Sequence, residues 1–178
     1  MLLGLVMLVT VVAYQQDTVT RKDSLPPPPV PAPAPVPAPA PTIEQIRYMA
    51  GLKTATRGVA QIRDGVNRVV RTQQADSLTR RRAARRLGGL CGTARSFIVS
   101  GRPRMQAAAY ADSMRVLAKQ LTTRLDSLTS ALPTCEKTAG RDPTVAGTLT
   151  TRLKNYDDAL LAFRTALKPD STKAISQQ

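Results

Sequence analysis

The chain has 178 residues, with 26 Lys+Arg against 12 Asp+Glu, a net charge of +14, two Cys, and neither His nor Trp. One domain fits this length, two at most. Without His the usual general base at neutral pH and the commonest metal ligand are missing, and two Cys alone complete no four-ligand zinc site.

Residues 1–13 read as a targeting segment. From residue 2 the run is apolar apart from Thr10 and carries no charged side chain. It has the length of a signal-peptide hydrophobic region and is too short to cross a bilayer as a helix. Val11 and Ala13 sit at the small-residue positions before a cleavage site, which places the cut after Ala13. An uncleaved N-terminal anchor is the other form of the same export reading. A buried apolar strand in a cytosolic fold is the competing one. No Cys follows the run to accept a lipoprotein anchor.

Residues 14–41 read as a linker. Residues 26–41, PPPPVPAPAPVPAPAP, hold ten of the 14 prolines. Proline fixes φ and lacks an amide donor, so neither a helix nor a central strand forms there. Polyproline II remains, and at roughly 3.1 Å per residue the run reaches on the order of 50 Å. This composition resembles the proline-rich spacers of TonB-type envelope proteins, and the resemblance implies a domain held away from a membrane. A Pro-x-x-Pro ligand for an aromatic groove is the alternative, but no Arg or Lys closely flanks the run to orient one.

Residues 42–168 are expected to form an all-α, small antiparallel helical bundle of three long helices and one short one. Thr42 with Gln45 three residues on is a capping-box start. Ile43, Ile46, Met49 and Ala50, then Val59, Ile62, Val66 and Val69, recur at helical steps. The pattern runs to Leu87 as one long helix, or as two with a break near residues 73–76, and Gly88 and Gly89 are expected to stop it. A short helix follows over residues 90–100, closed by Gly101 and Pro103. The next starts near Pro103 with a stripe of Met114, Leu117, Leu121, Leu125, Leu128 and Leu132, and ends at Pro133. The last runs from Pro143 to Pro169 with Val145, Leu149, Leu153, Tyr156, Leu160, Phe163 and Leu167. Residues 169–178 read as a flexible tail.

Three features within this region carry specific expectations. Gly51, Gly58 and Gly65 recur every seven residues, and each costs about 1 kcal/mol against Ala in a helix interior. That repeated cost suggests close approach of a second helix, either internal or from another copy in a homo-oligomer. Cys91 and Cys135, each expected just past a helix break, are read as a disulfide pair suited to an oxidising compartment. Arg80, Arg81, Arg82, Arg85 and Arg86 are the densest charge cluster, in a half (residues 42–104) with 14 basic and 3 acidic residues. Such a face suits phosphate or carboxylate. The competing reading is a solvated helix face in an Arg-biased composition, where Arg outnumbers Lys 19 to 7.

Nucleotide-binding glycine loops and the Gly-x-Ser-x-Gly nucleophile motif are absent. Asp157 and Asp158, the only adjacent acidic pair, diverge by about 100° on a helix and could not share one substrate. The sequence therefore reads as a non-enzymatic, cofactor-free, exported envelope protein. Its helical module would contact an envelope protein or anionic surface through the Arg cluster. The alternatives are a polyanion binder proper, for nucleic acid or lipopolysaccharide, and a periplasmic chaperone-like adaptor. Nucleic acid is not favoured, because no aromatic side chains stand beside the cluster to stack bases.

Overall fold

The computed structural model describes residues 40–168. The targeting segment, nearly all of the linker and the tail from 169 on lie outside the described residues. Four α-helices follow one another: α1 (Ile43–Arg71), α2 (Ser77–Gly101), α3 (Asp112–Thr138) and α4 (Thr144–Leu167). Among the described residues there is no strand. Each helix packs antiparallel to the next in the chain, and α4 closes the ring against α1. The result is an up-down-up-down four-helix bundle, the expected all-α class.

Helix α1 starts where the capping box places it. The Thr42 hydroxyl accepts from the Gln45 amide at 3.3 Å, and the Gln45 side chain accepts from the Thr42 amide at 3.0 Å. Its core face is Tyr48, Leu52, Ala55, Val59, Ile62 and Val66. The early apolar residues are not on it: Ile43, Ile46 and Met49 are 66%, 55% and 41% exposed. The buried register is set instead by Tyr48 and Gly51, which share a face with Leu52 and Ala55 and turn the three aliphatics outward.

Of the two forms expected for the first helical stretch, the broken one is present, with residues 72–76 between α1 and α2. Asp76 then caps α2, its carboxylate accepting from the Leu78 and Thr79 amides at 2.9 Å each and from the Thr79 hydroxyl at 2.6 Å. These bonds hold the Asp76 carboxyl below its ordinary range.

Two expected stops are overridden. Gly88 and Gly89 lie inside α2, so the long-plus-short division becomes two helices of 29 and 25 residues. A Cβ on Gly88 would lie 3.2 Å from the Glu136 carbonyl oxygen. The glycine thus lets α3 approach rather than ending α2. Pro133 lies inside α3, where it removes one helical hydrogen bond. Leu128 and Leu132 before it and Cys135 after it are all fully buried, and that packing carries the helix through. Helix α3 also begins later than Pro103. Two 3-10 turns, Arg102–Arg104 and Ala107–Ala109, intervene, anchored by buried Met105 and Tyr110.

The rest of the core comes from Leu87, Ala94 and Ile98 of α2 and from the expected stripes of α3 and α4, Leu121 to Leu132 and Val145 to Phe163. At one end of the bundle Tyr48, Tyr110 and Phe163 pack with ring centroids 5.2–5.4 Å apart. The Tyr48 hydroxyl donates to the Ala118 carbonyl at 3.1 Å, and the Tyr156 hydroxyl pairs with Thr56 at 3.3 Å. Burial, the largest cause, pushes all three phenols above their ordinary range, most strongly Tyr48.

Unfolded tyrosine titrates near about pH 10. A phenol raised above that favours the fold fully below about pH 10 and loses its contribution as pH rises through the folded value. The melting temperature is therefore expected to fall on the alkaline side. The fall should be shallower in Tyr48→Phe, as thermal melts between about pH 9 and 12 would show. An equal fall in both proteins would assign the alkaline loss to other groups.

Candidate anion-binding face

The glycine heptad faces α2 of the same chain. A Cβ on Gly51 would lie 2.6 Å from the Gly101 carbonyl oxygen, one on Gly58 2.6 Å from the Ala94 carbonyl oxygen, and one on Gly65 2.8 Å from the Leu87 side chain. Gly101 reciprocates from α2, with 2.5 Å to the Gly51 carbonyl oxygen. Of the two expected partners the internal helix is the one present. The three glycines are buried under it, so this face is closed to a second copy.

Cys91 and Cys135 form a disulfide with Cα atoms 6.1 Å apart, and both are fully buried. Neither follows a helix break as expected. Cys91 lies within α2 and Cys135 within α3, brought together by the close approach at Gly88.

The α2 backbone displays all five clustered Arg on its surface. Five ion pairs occur among the described residues, all of them outside this cluster. Arg102 grips Asp126 with two bonds of 2.7 and 2.8 Å, Arg63 meets Asp157 at 2.5 Å, and Arg95 meets Glu136 at 3.6 Å. Asp158 takes Lys154 at 2.7 Å, so the two adjacent aspartates serve different cations, as their divergence requires. Arg80, Arg81, Arg82, Arg85 and Arg86 make no ion pair among the described residues.

The cluster is not one patch. At about 100° per residue, Arg82 and Arg86 stand roughly 200° and 240° round from Arg80. Arg80 and Arg81 line a groove of about 730 Å³ at the end of the bundle formed by the α1–α2 and α3–α4 connections. Arg85 lays its stem along the α3–α4 turn, where a Cβ on Gly140 would lie 3.1 Å from the Arg85 Cγ. Arg141 also lines the groove and was missed in the sequence. Nothing in its local sequence connects it to α2; only the turn after α3 carries it there.

Among the described residues no group of three metal-ligating side chains occurs, and no helix is long and apolar enough to cross a membrane. Comparison with family models, curated proteins and solved structures finds no match.

Proposed function

We propose that the bundle is a non-catalytic interaction module of an exported envelope protein, carried on the proline-rich spacer and docking an anionic envelope surface through Arg80, Arg81, Arg82, Arg85 and Arg86. The observation that carries this reading is five exposed guanidinium groups on two turns of one helix, with no carboxylate within ion-pair distance among the described residues. Their mutual repulsion is relieved by an external anion, and the planar guanidinium fork suits phosphate and carboxylate. Export is supported by the apolar N-terminal run and by a buried disulfide, a linkage that persists in oxidising compartments.

The test is binding of the full chain to vesicles containing phosphatidylglycerol. Each basic residue near an anionic surface contributes about 1 kcal/mol, so replacing all five Arg by Gln is expected to weaken binding by roughly 100-fold or more. Binding should also fall steeply with added salt. Unchanged binding in the five-Gln variant would overturn the reading.

A further inference from the structure

The groove at the Arg80 end has two characters. Its floor is aliphatic: Val69 and Val70 from α1, Ala84 and Leu87 from α2, Ala146 from α4. Val70 is 49% exposed, a branched apolar side chain left uncovered. Arg80 and Arg81 from α2 and Arg141 from the α3–α4 turn also line the groove. None of the three makes an ion pair among the described residues. One carboxylate, Asp142, also lines the groove. It is engaged by Thr144, accepting from the amide at 2.8 Å and the hydroxyl at 2.7 Å. The lining is therefore net cationic beside a set of aliphatic side chains. The volume of about 730 Å³ falls within the range of small-molecule sites, which are mostly apolar with a few placed polar groups.

We propose that this groove binds a detached long-chain carboxylate, its alkyl chain along Val69, Val70, Ala84 and Ala146 and its head between Arg80, Arg81 and Arg141. Charge complementarity selects an anionic head over a neutral or cationic one. The single apolar trough suits one chain. The proposal rests on the reading that this end of the domain receives anions, but it needs Arg141 and the aliphatic floor, which docking on an anionic surface does not.

Gly147 supplies the test. It lines the groove, and a Cβ there would meet nothing within 4 Å. Gly147→Trp adds bulk to the trough, leaves every Arg in the sequence and removes a helix-interior glycine. Dodecanoate binding to the full chain would be followed by isothermal titration, with dodecyltrimethylammonium as the cationic control. Circular dichroism would verify the helix content of every variant.

Saturable binding of one dodecanoate is expected, with no matching uptake of the cationic control. Gly147→Trp is expected to weaken it roughly tenfold or more through lost apolar contact. The triple variant R80Q/R81Q/R141Q should do so by about the same factor through lost charge-assisted bonds. R82Q/R86Q, which spares the groove, should leave it within about twofold while weakening vesicle binding. Equal affinity in Gly147→Trp, equal uptake of both detergents, or absence of saturable binding would overturn the groove. Vesicle binding by the unsubstituted chain without saturable dodecanoate binding would leave the Arg face standing alone. Dodecanoate binding without vesicle binding would sink the Arg-face reading and leave the groove.

Discussion

Gly58→Ala is expected to lower the stability of the domain by about 3 kcal/mol, although alanine is the better helix former. The added methyl would lie 2.6 Å from the Ala94 carbonyl oxygen, 3.1 Å from Ile98 and 3.2 Å from Phe97. The first of these is backbone and cannot rotate away. α1 and α2 would have to separate along a seam that Gly51 and Gly101 hold equally close. Gly89→Ala is the control, because a Cβ there meets nothing within 4 Å. It is expected to gain up to about 1 kcal/mol from helix propensity alone. Urea unfolding of the two variants should therefore move in opposite directions. Movement in the same direction would mean that the seam is not held at the stated distance.

Replacing Cys91 and Cys135 together by Ala is the second large effect. The bridge spans 44 residues of sequence, and in the chain-entropy model closing such a loop restricts the unfolded chain by about 4 kcal/mol. Both sulfur-bearing residues are buried between α2 and α3, so their loss also removes core contacts. The double variant is expected to unfold at markedly lower denaturant, with its helix content at zero denaturant retained. The unsubstituted protein under reductant should stay oxidised until it unfolds, since no reductant reaches a fully buried bridge. A midpoint unchanged in the double variant would assign the stability of the α2–α3 contact to packing alone.

The fold class was legible because helical periodicity and capping are local. Thr42 with Gln45, the Leu121–Leu132 stripe and the Val145–Phe163 stripe each needed only their own neighbours in sequence. The errors came where a distant contact overrode a local preference. Gly88 and Pro133 carry strong stop signals, but the first is the contact point of α2 and α3, and the second sits between buried leucines and the bridged Cys135. Ile43, Ile46 and Met49 show a helical period on the wrong face, because a period locates a stripe and not which stripe is buried. Gly101 reads locally as a helix end, and only the packing shows that it makes the seam reciprocal with Gly51. The Arg cluster was visible as density. Its division between a groove and an outer face required the helix phase and the turn that brings Arg141 in.

The bridge also determines how the domain answers tension. Pulled from residue 42 and residue 168, the helices outside the bridge can peel away, but the segment between Cys91 and Cys135 cannot extend. At roughly 3.4 Å per residue this removes on the order of 150 Å from the length the chain can yield. Under such a pull the chain would lengthen through α1, α4 and the parts of α2 and α3 outside the bridge, while residues 91–135 added nothing.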